Sequence, residues 1–225
     1  MGRILAAGIL AIVLSVVAGP RFIALVRNRG IGQRIREEGP ERHIGKAGTP
    51  TMGGLLILAS AVVAYLVLGT HTLAGLLVMS LMLGSGLVGF LDDASKVIKR
   101  RSLGISGKAK LAMQFLLMVA IGWFAFRFAG VDTYVSVPLT DRLFNFGWSY
   151  IVLAYVVTAG TSNTVNLTDG LDGLAAGTVA VALLAFTGIA WLQGAKDLAI
   201  LSASLMGACV GFLWYNSFPA EVFMG

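Results

Sequence analysis

The sequence predicts an all-α, polytopic transmembrane helix bundle, and three properties of the chain lead to that prediction. Of its 225 residues, 57% are hydrophobic and only 12% are charged, whereas roughly 25% of the residues in a typical soluble domain are charged. The mean hydropathy is +0.84. The apolar residues also fall into long runs, and a backbone that is exposed to lipid must satisfy its own hydrogen bonds, which favours helices.

About seven apolar runs are long enough to cross a bilayer, which takes roughly 17 to 25 residues. They cover residues 4–26, 53–70, 72–91, 111–130, 148–165, 173–193 and 197–215. We expect residues 1–225 to form a single transmembrane domain.

The basic residues predict the orientation of these spans. Twelve of the seventeen Lys and Arg residues lie in the connections after the first and third runs. Two spans separate these connections, so both lie on one side of the membrane, which the positive-inside rule makes cytoplasmic. The N-terminus is then expected outside. Because the basic residues cluster in these two connections, the net charge of +6 indicates membrane orientation and not nucleic-acid binding.

Two other features carry no predicted chemistry. The single cysteine, Cys209, lies in the last run beside Gly207 and Gly211, and it is expected to be a small packing residue. Residues 131–138 alternate β-branched and polar side chains, which predicts a short hairpin-like loop on the outer side.

The polar segment at residues 163–175 is the strongest candidate for a functional site. It contains two Asn and two Asp residues, although a carboxylate near a bilayer costs several kcal/mol unless it pairs, binds an ion or reaches water. Asp169 and Asp172 are three residues apart, so a turn that ran straight into a helix would place both on one face, where they could bind a cation or a polar ligand. The alternative is that Thr168 or Asp169 only caps the next helix.

A second acidic group, Asp92 and Asp93, follows the third apolar run. Carboxylates at a helix C-terminus are disfavoured by the carbonyl ends of the helix, so this pair requires a compensating cation. A divalent metal or Lys96, one turn after Asp92, could provide it. The alternative is a solvated acidic pair at the membrane edge.

The Gly- and Pro-containing stretch at residues 48–54 predicts a turn before the second run. Backbone amides freed by that turn, together with Lys46, Thr49 and Thr51, could hold phosphate or sugar groups. A simple turn into the helix is the alternative.

Four motifs in this order resemble those of the bacterial phospho-N-acetylmuramoyl-pentapeptide-transferases, within the wider family of polyprenyl-phosphate N-acetylhexosamine-1-phosphate transferases. They are GKAGTPTMGG at 45–54, which follows Gly39-Pro40-Glu41-Arg42-His43, then GFLDDASKV at 89–97, NTVNLTDGLDGLA at 163–175 and GFLWYNSFPAEVFMG at 211–225. Each motif lies at a predicted cytoplasmic span end. The TPTMGG sequence favours the muramoyl-pentapeptide branch over relatives that use other UDP-sugars.

The resemblance implies transfer of phospho-MurNAc-pentapeptide from UDP-MurNAc-pentapeptide to undecaprenyl phosphate, with Mg²⁺ as cofactor and with lipid I and UMP as products. It implies a multi-pass protein of the bacterial inner membrane whose active site faces the cytoplasm. Membrane lipids are expected partners and nucleic acid is not, while a homodimer is left open.

By position, the resemblance assigns Asp92 and Asp93 to the family's paired acids, as metal ligands or, for Asp92, as a base on the lipid phosphate. Asp169 matches the family's third acidic position. Lys96 completes the predicted catalytic set because its charge would support a metal held by these carboxylates. The positions that match the nucleoside and sugar pocket are Lys46, Thr51, Asn166, Asp169, Asp172, Asn216 and Phe223. Phe223 would stack on uracil.

The resemblance further implies that the principal metal-binding Asp of the family lies beyond Gly225, so we expect these 225 residues alone to be inactive. A related transferase that uses another UDP-HexNAc and polyprenyl phosphate is one alternative function. A cation transporter is an alternative from a different class. Transporter sites lie near the middle of the membrane, whereas the acids here lie at span ends, which favours a transferase.

Overall fold

Seven α-helices form the fold in a computed structural model, which describes residues 1–30, 32, 48–99, 104–137, 140 and 142–225. The helices are α1 (Gly2–Asn28), α2 (Gly54–Leu68), α3 (Leu73–Ile98), α4 (Gly107–Phe128), α5 (Tyr150–Thr168), α6 (Leu174–Leu192) and α7 (Lys196–Asn216). Each helix overlaps one of the predicted runs, which confirms the all-α bundle.

The lengths of these helices are those of a multi-pass membrane protein. Within the described residues, α1, α3, α4, α6 and α7 are long and apolar enough to cross a bilayer, and α2 is a shorter apolar helix of 15 residues. Helix α3 continues to Ile98, past the predicted end of its span at residue 91. Asp92 and Asp93 therefore lie near the end of a helix but still within it.

The connection between α4 and α5 contains the hairpin that the sequence predicted. Strands β1 (Tyr134–Val137) and β2 (Arg142–Asn145) pair antiparallel, with Tyr134 opposite Asn145. A single 3₁₀ turn at Gly147–Ser149 then leads into α5.

Helix α7 lies at the centre of a compact group that also contains α1, α2 and α6. Within the apolar part of α7, 56% of the residues are buried, compared with 11% in α3 and 17% in α4. Helices α3, α4 and α5 form a looser group at one side. The core is therefore concentrated around α7.

Small residues allow α1 and α7 to approach each other closely. A Cβ atom on Gly207 would collide with the backbone oxygen of Gly8, and one on Gly211 would lie 2.7 Å from the backbone oxygen of Ile12. Glycine at such positions is typical of closely packed membrane helices. Cys209 is 2% exposed and belongs to the same core, which confirms its predicted packing role.

The helices alternate in direction, so the predicted motifs gather at one end of the bundle, here called the acidic end. It contains the ends of α1, α3, α5 and α7 and the beginnings of α2, α4 and α6. The opposite end contains the α2–α3 and α6–α7 connections and the hairpin.

Candidate active site

The segment that follows α7, residues 217–225, joins the fourth motif to the first. The backbone N–H of Phe223 donates to the oxygen of Pro50 at 2.8 Å, and the N–H of Gly53 donates to the oxygen of Phe223 at 2.9 Å. The N–H of Gly54 donates to the oxygen of Met224 at 2.8 Å. These backbone hydrogen bonds hold the segment across the start of α2.

Asn216 anchors the same segment to the start of α6. Its side chain is 1% exposed, its Oδ1 accepts a hydrogen bond from the N–H of Gly173 at 3.1 Å, and its Nδ2 donates to the oxygen of Val222 at 2.9 Å. Gly173 has a φ of 76°, a left-handed conformation that glycine adopts at little cost. Because Gly173 is the N-cap of α6, the alternative in which Thr168 or Asp169 caps that helix is wrong.

Residues 169–173 form a loop between α5 and α6 and not the first turn of a helix. The turn therefore does not run straight into a helix, and Asp169 and Asp172 do not share one helix face, because the chain leaves the helical conformation before Asp169 and resumes it only at Leu174. Both carboxylates instead accept hydrogen bonds from residues 217–225. The N–H of Gly225 donates to Oδ2 of Asp169, and the N–H of Ala220 donates to Oδ2 of Asp172, each at 3.3 Å.

The acidic pair on α3 has the compensating cation that its position requires. Nζ of Lys96 lies 2.9 Å from Oδ2 of Asp92 and 2.7 Å from Oδ1 of Asp93. Asp92 is 8% exposed, and its Oδ1 accepts a hydrogen bond from the N–H of Ile105 at 2.8 Å. Both oxygens of Asp92 are therefore bound by internal partners, whereas Asp93 uses Oδ1 for the ion pair.

Gly225 brings the carboxylates of Asp93 and Asp169 into one neighbourhood. Its N–H donates to Asp169, and a Cβ atom at Gly225 would lie 2.6 Å from Oδ2 of Asp93. The pKa of Asp169 is raised to about 6, chiefly by burial and also by the negative charges of Asp93 and Asp172, although the hydrogen bond from Gly225 opposes this increase. The acidic end thus has more negative charge than Lys96 alone compensates.

The donor set fits a hard divalent cation that also binds substrate. Within the described residues, no group of three His, Cys, Asp or Glu side chains is arranged as a complete metal site. Protein-bound Mg²⁺ commonly uses one or two carboxylates and completes its shell with phosphates and water. Asp93 and Asp169 provide carboxylates of that kind, next to the negative charge that a cation would offset.

The remaining predicted pocket residues are less accessible or lie elsewhere. Thr51 and Phe223 are each 8% exposed, so their side chains are largely covered, while Asn166 is exposed in the last turn of α5. Lys46 lies outside the described residues. The site also depends on backbone donors at Ile105, Ala220 and Gly225, which sequence reasoning missed because every residue except proline carries a backbone N–H.

Comparison with known proteins first defines the class of this membrane bundle. The profile of the family described as Glycosyl transferase family 4 matches residues 73–225, and a signature described as Phospho-N-acetylmuramoyl-pentapeptide-transferase signature 1 matches residues 46–58. These matches include the acidic pair, the 169–173 loop and the turn before α2. The molecule is therefore a polytopic membrane enzyme of a glycosyl transferase class.

Individual relatives define the family within that class. Proteins named phospho-N-acetylmuramoyl-pentapeptide-transferase from Halalkalibacterium halodurans and Geobacillus sp. are 46% and 44% identical to the chain, each over 96% of the chain and 68% of the relative. The protein of that name from Streptomyces avermitilis is 40% identical over the whole chain and 72% of its own length. The chain belongs to the phospho-N-acetylmuramoyl-pentapeptide-transferase family.

Proposed function

We propose that the protein transfers phospho-MurNAc-pentapeptide from UDP-MurNAc-pentapeptide to undecaprenyl phosphate, forming lipid I and releasing UMP. The observation that carries this proposal is the convergence of Asp93, Asp169 and Asp172 on residues 217–225, at one end of a membrane bundle. A site at a span end can reach both a water-soluble nucleotide sugar and the phosphate of a lipid.

Mg²⁺ is the proposed cofactor, with the paired acids Asp92 and Asp93 as its predicted ligands. Asp93 is the better donor because both oxygens of Asp92 already have internal partners. Asp169 offers a second carboxylate beside Gly225. Bound there, Mg²⁺ would neutralise anionic phosphate oxygens, which is the main requirement of phosphoryl transfer.

Asp92 fits an orienting role better than that of a base. Its carboxylate is bound to Lys96 and to the N–H of Ile105, which holds the end of α3 against the chain just before α4. The reaction also has little need of a base to deprotonate the lipid phosphate, because a phosphate monoester has a second pKa of about 6 and is largely dianionic at neutral pH. We therefore assign to Asp92 and Lys96 the positioning of Asp93.

The nucleoside and sugar would bind beside the 169–173 loop. We propose that Lys46, Asn166 and Asp172 contact this part of the substrate. Thr51 and Phe223 are each 8% exposed, so their side chains would have to become accessible for Thr51 to contact the substrate and for Phe223 to stack on uracil. Asn216 would support this site without touching the substrate, because its Oδ1 and Nδ2 already bind the loop and the 217–225 segment.

The acidic end is proposed to face the cytoplasm of the bacterial inner membrane. The basic connections after α1 and α3 support this orientation through the positive-inside rule. Their positive charge would also attract anionic lipids and the nucleotide sugar to that face.

The proposal is tested by UMP release in membranes from cells that express the complete gene, and not residues 1–225 alone. We expect release to require UDP-MurNAc-pentapeptide, undecaprenyl phosphate and Mg²⁺, and to stop when EDTA is added. UDP-GlcNAc in place of the muramoyl substrate should give no UMP. Equal release from UDP-GlcNAc would instead assign the protein to a related branch, and release without the lipid acceptor would contradict the transfer reaction.

A further inference from the structure

A second candidate binding site lies at the end of the bundle opposite to the acidic end. An open cavity of about 340 Å³ lies where α4 ends, the hairpin begins and the 3₁₀ turn leads into α5. Its lining residues are Trp123, Phe126, Arg127, Thr133, Gly147 and Trp148. None of these belongs to the proposed transferase site.

Aromatic rings form the walls of this cavity. The rings of Phe126 and Trp148 are 5.6 Å apart between centroids, which joins the end of α4 to the turn before α5. Trp123 packs edge-on against Phe124 and Phe128, with centroids 5.0 and 5.9 Å apart. Trp123 is 47% exposed and Trp148 is 71% exposed, so these walls are open to the surroundings.

Hydrogen bonds at the base of the hairpin fix the residues that flank it beside the cavity. Oδ1 of Asn145 accepts hydrogen bonds from the hydroxyl of Thr133 at 2.6 Å and from the N–H of Gly147 at 2.8 Å. The N–H of Phe146 also donates to the backbone oxygen of Thr133, at 3.1 Å. The two ends of the outer loop are thereby fixed beside the aromatic rings.

Among the residues that the structure describes, Arg127 is the one charged residue in the lining. Its guanidinium carbon lies 5.4 Å from the centre of the Phe128 ring, and within the described part of the chain no carboxylate forms an ion pair with it. A cation in an aromatic cavity at a span end selects an anion that also has apolar parts. Arginine is well suited to phosphate because its planar guanidinium presents several N–H donors together.

The size and depth of the cavity favour a lipid over a small ion. A water molecule occupies about 30 Å³ in the liquid, so an inorganic phosphate would leave much of the cavity empty against walls with few polar partners. Tryptophan and tyrosine concentrate where lipid headgroups meet the hydrocarbon region, and the cavity lies at that level because α4 ends and α5 begins there. An aromatic belt alone would not require a cavity that contains an arginine.

We propose that this cavity, here called the Arg127 pocket, binds the anionic headgroup of a membrane lipid, with the lipid phosphate on Arg127. The glycerol and the first part of the acyl chains would lie against Trp123, Phe126 and Trp148. The lipid belongs to the leaflet opposite to the acidic end, so this site is independent of the transfer reaction.

The test measures lipid retention by native mass spectrometry of the purified protein in detergent, titrated with phosphatidylglycerol. Arg127→Gln is expected to lower the affinity of the most tightly held lipid about tenfold, which corresponds to roughly 1.4 kcal/mol. Arg127→Lys should retain part of the binding because it keeps the charge. Arg142→Gln is the matched control, since Arg142 lies on β2 of the same hairpin but outside the lining, and it should bind as the unchanged protein does.

A second measurement places the lipid and separates it from free phosphate. In nanodiscs made with brominated phosphatidylglycerol, quenching of tryptophan fluorescence should decrease when Trp148 is replaced by phenylalanine or Arg127 by glutamine. Millimolar inorganic phosphate should not displace the lipid. Equal lipid retention by Arg127→Gln and Arg142→Gln would overturn the proposal, and displacement by inorganic phosphate would show a simple anion site in place of a lipid site.

Discussion

Carboxylates at the two ends of this bundle have very different surroundings. At the end away from the proposed site, Asp197 is 4% exposed and accepts five hydrogen bonds from the α2–α3 region. The donors are the Tyr65 hydroxyl at 2.8 Å, the N–H groups of Thr70, His71 and Thr72 at 2.7, 3.2 and 2.8 Å, and the Thr72 hydroxyl at 2.8 Å. Asp169, at the acidic end, accepts a longer hydrogen bond from Gly225 and lies close to other negative charges.

This difference separates an acid that stabilises the fold from acids that are available to a ligand. Asp197 lies in the first turn of α7, where the helix dipole favours a negative charge, and its oxygens are fully occupied by donors from the α2–α3 connection. Asp93 and Asp169 repel each other and have fewer donors among the described residues, so an added cation would lower their free energy. Aspartate therefore holds helices together through hydrogen bonds at one end and provides a candidate metal site at the other.

The largest expected effect is on turnover, when the carboxylate of Asp93 is removed. Asp93→Asn keeps the shape of the side chain but removes the charge proposed to hold Mg²⁺. We expect UMP release to fall by about 10² to 10³, the usual effect of removing one electrostatic group from an active site. The measurement is initial UMP release at saturating Mg²⁺, with Asp132→Asn in the outer loop as the control. Activity within about twofold of the unchanged protein would exclude Asp93 as a metal ligand.

The next largest effect is on stability, when Asp197 is replaced by alanine. The change leaves the hydroxyls of Tyr65 and Thr72 and three backbone N–H groups without their acceptor, and each unsatisfied buried donor costs about 1 to 3 kcal/mol. We expect a loss of at least about 3 kcal/mol and a clear decrease in the thermal unfolding midpoint in detergent. The Michaelis constants of the folded fraction should change little.

Asp132→Ala is the matched control for this measurement, because Asp132 is an exposed acid at the same end of the bundle. An unfolding midpoint for Asp197→Ala equal to that of Asp132→Ala would show that the five hydrogen bonds do not stabilise the bundle. Asp197 could then no longer be described as the acid that stabilises the fold.

The sequence predicted most of the fold because its dominant signal is local. Each apolar run is long enough to span a bilayer, and each became a helix at nearly the predicted place. The ion pairs of Lys96 with Asp92 and Asp93 were likewise predictable, because residues three or four positions apart meet on one helix face. Contacts of this kind require no knowledge of the rest of the chain.

The connections between distant segments could not be predicted in this way. Tyr65 and Asp197 are separated by 132 positions, and a single acid after Lys196 at the start of a span resembles an ordinary boundary charge. The spacing of Asp169 and Asp172 suits one face of a helix, but the left-handed Gly173 and the amide of Asn216 delay the start of α6 to Leu174. The convergence on residues 217–225 depends on backbone donors, which residue types do not reveal.

A smaller effect is expected when the pH is changed, because Asp169 titrates and alters the stability of the fold. The measurement uses protein kept free of divalent cations by EDTA. A carboxyl group whose pKa is raised on folding from its ordinary value near 4 to about 6 favours the folded state most when it is protonated. Its contribution to stability is therefore present below about pH 4 and is lost as the pH rises through about 6. The thermal unfolding midpoint should decrease over that range, by less than the Asp197→Ala effect because Asp169 is partly exposed and solvent screens its charge.

Asp169→Asn provides the comparison that isolates this group, since other acids titrate in the same range. The variant should show a flatter dependence of the unfolding midpoint on pH between 4 and 6.5, while Asp132→Asn should follow the unchanged protein. A parallel curve for Asp169→Asn would mean that the acidic end does not raise the pKa of Asp169.

The smallest expected effect concerns the looser group of helices, where an amide joins α4 to α5. Nε2 of Gln114 donates to the hydroxyl of Ser162 at 3.3 Å, and Nδ2 of Asn163 donates to Oε1 of Gln114 at 3.2 Å. Hydrogen bonds between membrane helices contribute about 0.6 kcal/mol on average, so Gln114→Leu should cost no more than about 1 kcal/mol of unfolding free energy.

This last variant shows whether the acidic end depends on α5 being held in place. Helix α5 carries Asn166 and leads into Asp169, so loss of the Gln114 amide should raise the Michaelis constant for UDP-MurNAc-pentapeptide modestly, by about twofold to fivefold, while the unfolding midpoint changes little. Gln193→Leu, at the exposed far end of α6, is the control for replacing a polar side chain by an apolar one. A double-mutant cycle of Gln114→Leu with Ser162→Ala measures their coupling directly. If the cycle gives no coupling and the Michaelis constant is unchanged, the position of Asp169 is set by its contact with residues 217–225 and not by the α4–α5 pair.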